Sequence, residues 1–379
     1  MKRYFLLLGS FLIVACTNST ESSWMVSPKP VYQTYTETGG TLSFDFTPKA
    51  EILFVVDNSA SMRKHIDKVS TSIDQFVDAF SSHNPLEYNL AVVSVFDNRT
   101  YSKKEYLDKW SGTENYFQLG QFRQVKKSET EIVANKYFIS SRDENLKDLL
   151  RNTLKIGVQD LKSGGPQIEE SFSPLAALYE LSELKLDNFF QARQKNFFMG
   201  KDSYKIIFFV TDAAEASQVT PSDLFYGLVA KSGGDRTKVL SFGAIVPSNV
   251  NNCARDPGGK PYALEEFLSL TRKSYEGSNI VSLCESFGAK FAAFGKSIRA
   301  RVMNKIIHLE NAIPIISDNA VETLRVFYGN QEILLETNSD IIGFEYDPLI
   351  NAIRINPRLE LSQQPGAKLR IQYTSARAK

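Results

Sequence analysis

Asp57-Asn58-Ser59-Ala60-Ser61 sets one carboxylate and two hydroxyls at alternate positions, directly after the apolar run Glu51 to Val56. Side chains so spaced can converge as the chain turns out of a strand. Oxygen donors with few fixed charges suit a hard divalent cation, Mg²⁺, Mn²⁺ or Ca²⁺. A second carboxylate, Asp212, follows another apolar run, Lys205 to Val210. In open α/β sheets, groups just past the carboxyl ends of strands meet where the strand order reverses. The competing reading gives Ser59 or Ser61 the task of capping the next helix. That accounts for the serines but not for Asp57 and Asp212 together.

The elements that must position these groups are legible as hydrophobic patterns. Glu51 to Val56, Leu90 to Phe96, Lys205 to Val210 and Val239 to Val246 are short apolar runs. Such runs fit parallel strands buried on both faces. Ile66, Val69, Ile73, Phe76, Val77 and Phe80 recur at helical spacing, and Phe287, Phe291, Phe294 and Ile298 mark a late amphipathic helix. Helices are also expected over 146–156 and 175–192. Strands alternating with helices mean an α/β domain, a doubly wound, Rossmann-like parallel sheet. Residues 97–142 are polar, aromatic and irregular, an insertion expected to carry short strands of its own. After about residue 302 the period changes to two: Leu324, Val326 and Tyr328, then Ile353 and Ile355, then Leu369, Ile371 and Tyr373. Gly329-Asn330 reads as a two-residue hairpin turn and Pro365-Gly366 as a type II turn. This is a small all-β domain.

The first residues set the compartment. Lys2 and Arg3 precede an apolar run from Phe5 to Ala15. At roughly 1.5 Å per residue the run is well short of the ~20 residues that span a bilayer. It reads as a signal peptide. Ile13-Val14-Ala15-Cys16 resembles the lipobox of bacterial lipoproteins, which implies cleavage before Cys16 and lipidation of that residue. Thr17 stands where inner-membrane retention usually has Asp, so an outer-membrane lipoprotein is expected, facing the periplasm or the cell surface. Several acyl chains give stable anchoring where one binds only reversibly. The expected organisation is 1–15 signal peptide, 16–45 lipidated cysteine and polar tether, 46–301 α/β domain, and 302–379 β domain.

Over about residues 48–301 the chain resembles the von Willebrand factor type A domain and its metal-ion-dependent adhesion site. That pattern has D-x-S-x-S after the first strand, a Thr on a second loop, and an Asp after a later strand. Asp57, Ser59, Ser61 and Asp212 match it. On the second loop Ser171 fits best by its spacing to Ala176, with Ser173 and Glu170 as alternatives. The resemblance implies that the serines hold the metal directly and the aspartates act largely through water. The whole chain also resembles bacterial type A lipoproteins, with Thr211-Asp212-Ala213-Ala214-Glu215-Ala216-Ser217, the pair Cys253 and Cys284, and a final module running from Pro365-Gly366 to Tyr373. Cys253 and Cys284 are expected to form a disulfide outside the cytoplasm.

Composition narrows the function. Lys plus Arg is 44 and Asp plus Glu is 43, a net charge of +1. A nucleic-acid binder would need a surplus of cations. The 3 cysteines and 3 histidines exclude a zinc framework and a His-rich metal site. Gly295-Lys296-Ser297 fails as a phosphate loop, because Lys290 stands where the motif needs glycine. The expected function is a lipid-anchored binding or adhesion protein, not an enzyme. It would engage a protein ligand through a divalent cation, with an Asp or Glu carboxylate of the partner completing the coordination. The alternatives are a structural envelope lipoprotein with a vestigial metal site, and a metal-assisted hydrolase, which lacks an evident histidine base.

Overall fold

The structure is a computed structural model. It describes residues 34–44, 48–81, 86–110, 118–157, 165–183, 186, 188–250, 259–272, 277–286, 288–303, 306–309, 313, 324–336, 340–356, 358–362, 364 and 366–377. The signal peptide, Cys16 and Cys253 lie outside them.

In chain order the elements are β1 (Thr34–Phe44), β2 (Lys49–Val56), α1 (Arg63–Ser81), β3 (Glu87–Ser94), α2 (Asn98–Tyr101) and α3 (Lys104–Trp110). Next come β4 (Ile139–Ser140), α4 (Leu146–Leu154), α5 (Phe172–Leu178), α6 (Asn188–Gln194), β5 (Tyr204–Thr211) and α7 (Pro221–Lys231). Then β6 (Val239–Ile245), α8 (Tyr262–Thr271), β7 (Ile280–Ser282) and α9 (Gly288–Met303) complete the first part. The C-terminal part adds β8 (Ile306–His308), β9 (Arg325–Tyr328), β10 (Gln331–Ile333), β11 (Phe344–Asp347), β12 (Ala352–Ile355) and β13 (Leu369–Arg377).

A six-stranded sheet runs β4-β3-β2-β5-β6-β7, parallel except for the antiparallel edge strand β4. The chain winds outward from β2 through β3, returns to β5, and winds the other way. The strand order therefore reverses between β2 and β5. The expected α/β class is what is found. Alternate residues of each central strand enter two separate cores, which is why the runs read as continuously apolar. Ile52, Phe54, Phe208 and Val210 meet α1, α4 and α9 on one face. Leu53, Val55, Ile207 and Phe209 meet α5, α7 and α8 on the other. Gly295 is a contact residue: a Cβ there would lie 2.6 Å from the Phe76 carbonyl oxygen, so α9 can approach α1 only with glycine at that position.

The helix expected over 175–192 is two helices. Glu180, at φ +53°, ends α5. Leu181 N–H donates to the Ala176 carbonyl and Glu180 N–H to that of Ala177, the two bonds of a Schellman close. The insertion contains α2 and α3 in addition to β4, whereas the pattern suggested short strands only.

The C-terminal part forms two antiparallel sheets, β1-β13-β9-β10 and β11-β12-β8, around a third core. Tyr328 pairs with Gln331 across the Gly329-Asn330 turn, with Gly329 at φ +55°. Residues 34–44, which fall in the span expected to be a tether, instead form β1 and pair with β13. Threonines and two aromatic residues, Tyr35 and Phe44, give this stretch strand propensity that its polarity masks.

Candidate metal site

β2 and β5 lie side by side, and both end at the point where the strand order reverses. Asp57 N–H extends the ladder by donating to the Val210 carbonyl, 2.9 Å. The Asp57 side chain is fully buried. Its Oδ1 accepts the Ser59 N–H at 2.7 Å, a tight turn that throws the chain off the strand. Its Oδ2 accepts the Thr211 hydroxyl at 2.7 Å. Ser59 then precedes a single 3-10 turn, Ala60–Met62, but its side chain makes no capping bond. The Ser59 and Ser61 hydroxyls are 2.9 Å apart, and Ser61 donates to Asp212 Oδ1 at 2.9 Å. A hydroxyl has one proton, so Ser59 is the donor to Ser61. Asp57, Ser59, Ser61 and Asp212 thus form one hydrogen-bonded group built from two loops. The capping reading fails for Ser59.

The surroundings disfavour the charges of this group. Burial, then the charge of Asp212, pushes the Asp57 carboxyl up to about 6, against opposing bonds from Ser59 and Thr211. His65 stands on α1 within reach of the Asp212 charge, yet burial lowers its pKa, and its Nδ1 is enclosed without a partner. Sequence spacing alone brings no histidine to the site; His65 reaches it only through the first turn of α1. Two enclosed carboxylates separated by neutral hydroxyls fit a divalent cation. Among the described residues no group of three His, Cys, Asp or Glu side chains could hold a metal. A cation here depends on serine oxygens.

The second loop is held in place by carboxylates from its neighbours. Asp97, just past β3, accepts the N–H groups of Gln167 at 2.6 Å and Ile168 at 3.3 Å. Glu170 and Phe96 exchange backbone bonds. The Glu170 carboxylate accepts the Ser173 hydroxyl at 2.5 Å and the Asn98 N–H at 3.2 Å. Glu170 and Ser173 are therefore engaged with each other. Ser171, buried at the start of α5, donates its N–H to Glu215 Oε2 at 2.7 Å, and Phe172 N–H shares that oxygen at 3.2 Å. The bond that places Ser171 is thus a backbone bond to the loop carrying Asp212. Burial pushes the Glu215 carboxyl up to about 7, outweighing the bonds from Ser217, Ser171 and Phe172.

Three contributors were not assigned roles from sequence. Thr211 had a legible signal, a hydroxyl beside Asp212 at a strand end. Asp97 could have been found as another strand-end carboxylate. Asn58 is fully buried with both amide atoms unpartnered. It lies beside Tyr101, whose hydroxyl burial pushes up. Nothing in the sequence marks it. Trp110 packs against the cluster of Phe96, Tyr101 and Tyr106. Cys284 is disulfide-bonded, and the expected partner Cys253 lies outside the described residues.

No family model and no curated protein matches the chain. Solved structures align loosely with it. A von Willebrand factor type A protein from Catenulispora acidiphila aligns at 9% identity and a TM-score of 0.36, covering 92% of this chain and 67% of that one. A proximal thread matrix protein from the mussel byssus, with a zinc-occupied MIDAS motif, aligns at 11% identity and 0.34, covering 70% of this chain and 50% of that one. This chain thus spans about half the length of that protein. A pilus adhesin from Lactobacillus rhamnosus GG aligns at 9% and 0.35, covering 92% and 42%.

Proposed function

We propose that this chain is a binding or adhesion protein that engages a protein ligand through a divalent cation. Asp57, Ser59, Ser61 and Asp212 would hold the ion, with Ser171 from the second loop. The observation that carries the reading is the pair of enclosed carboxylates at the point of strand reversal, linked through the Ser59 N–H and the Ser59 and Ser61 hydroxyls. A bound cation supplies a Lewis acid for a carboxylate of the partner's Asp or Glu. The chain's own residues do the rest. Thr211 and the Ser59 N–H fix the Asp57 carboxylate, and Ser61 fixes that of Asp212. Asp97 and Glu215 set the second loop. With only two carboxylates in the set, the ion keeps enough positive charge to attract a third from outside.

The basic start, apolar run and lipobox-like ending support export, lipidation at Cys16 and an outer-membrane position. The bonded state of Cys284 supports a Cys253–Cys284 pair. A pull-down from envelope or host-cell extract tests the function. The ligand is captured with Mg²⁺ or Mn²⁺ and lost with EDTA or in Asp57→Ala. Capture unchanged by EDTA refutes the mechanism. His65, beside Asp212 and with its pKa lowered by burial, is the residue the hydrolase reading would use as a base. Turnover of phosphoester or peptide substrates that is lost in His65→Gln would revive it.

A further inference from the structure

The parallel register sets Glu51 opposite Lys205, at the start of β2 and β5. Both occupy odd positions, on the face covered by α5 and α7. Glu51 is six residues from Asp57, about 20 Å along the strand. The pair therefore belongs to the opposite rim from the candidate metal site. Lys205 Nζ donates to Glu51 Oε1 at 2.7 Å, Gly200 O at 2.8 Å and Ser203 Oγ at 2.7 Å, which uses all three of its protons. Glu51 also accepts from Met199 N–H, the Ser203 hydroxyl and the Tyr179 hydroxyl. The pair is neutral overall and fully bonded.

Over this polar floor opens a cavity of about 800 Å³, within the range of small-molecule sites. Its wall is partly apolar: Tyr179 and Phe198 meet edge to face, with centroids 5.4 Å apart, beside Leu178 and Leu186. Its rim is basic. Lys195, Lys201 and Lys231 come to it from three separate segments. Glu180, the rim's carboxylate, accepts from Gln191 at 3.0 Å and pairs with Lys231 at 3.5 Å. Lys195 and Lys201 are exposed and take part in no ion pair among the described residues. The cavity thus holds two more cations than carboxylates, a surplus that favours an anionic ligand.

We propose that this cavity is a second ligand site, for a small organic anion. A carboxylate or phosphate would sit at Lys195 and Lys201, with an apolar or aromatic body against Tyr179 and Phe198. The site is independent of the metal reading, since no residue is shared.

Fluorescence titration of the full chain with 1-naphthyl phosphate, 1-naphthoate, 1-naphthol and inorganic phosphate tests it. One or both organic anions bind at least about tenfold more tightly than 1-naphthol and than inorganic phosphate. Preference for one of them identifies phosphate or carboxylate as the natural head group. Lys195→Ala/Lys201→Ala weakens that binding about tenfold or more, with an unchanged melting temperature, and Lys195→Arg/Lys201→Arg restores it. EDTA and Asp57→Ala leave it unaltered. Equal binding of 1-naphthol, inorganic phosphate binding as tightly as the organic anions, or no effect of the alanine pair would each overturn the proposal.

Discussion

Asp57 is the residue on which most of the chemistry converges, and its environment penalises its charge. A carboxyl pushed up to about 6 in the fold titrates near 3.8 in the unfolded chain. Between those values the folded state holds the proton more tightly. Stability of the metal-free protein therefore falls as pH rises through that window. Ionised Asp57 costs about 3 kcal/mol at neutral pH. Glu215, pushed up to about 7, extends the fall toward neutrality. Denaturant titrations in EDTA should show midpoints declining from about pH 4 to pH 7, and Asp212→Asn should flatten the decline by removing the repelling charge. A midpoint that rises over this range contradicts the arrangement. Thr211→Val should cost about 1–2 kcal/mol, because it leaves Asp57 Oδ2 buried without its donor. Chemical denaturation measures this directly. The aspartates and serines were legible because chemistry and spacing coincide at a strand end. Thr211 carried the same kind of signal, a hydroxyl beside a strand-end carboxylate, whereas Asn58 carried none, because its importance lies in its burial beside Tyr101.

At the scale of elements, period and length carried the reading. β2, β3, β5 and β6 are short apolar runs because both of their faces are covered, and α1 keeps strict helical spacing against one core. Failures came where a local bond or a distant strand decides. Leu175 to Ala192 has helical composition, but Glu180 in the left-handed region closes α5. β1 owes its state to β13, more than 300 residues later. Glu51 and Lys205 read as polar edges of apolar runs, yet they are almost wholly buried and paired. Removing one partner leaves a buried charge, so Lys205→Met should destabilise the fold by about 3–5 kcal/mol. Glu51→Leu/Lys205→Met together should recover much of that loss. A midpoint for Lys205→Met within experimental error of wild type would show that the pair carries no such charge. Gly295→Leu should drive α9 off α1, costing about 1–3 kcal/mol.

At the scale of the whole molecule, the sheet separates two rims with different chemistry. The carboxyl rim gathers hydroxyls and carboxylates from three loops, and the amino rim holds the Glu51–Lys205 pair and the basic cavity. The winding of β2 and β5 produces both, because one reversal point aligns two strand ends and, in register, two strand starts. The anchoring reading belongs to this scale as well. Replacing Cys16 with Ser should shift the protein from the detergent to the aqueous phase in detergent-phase partitioning, and unchanged partitioning would contradict lipidation there. The cation claim is tested most directly by isothermal titration of Mn²⁺ into the metal-free protein at neutral pH. Wild type should show saturable one-site binding. Asp57→Asn and Asp212→Asn, folded by circular dichroism, should each weaken it by at least about tenfold, or about 1.4 kcal/mol. No measurable heat from wild type, or equal binding by the two variants, would contradict it.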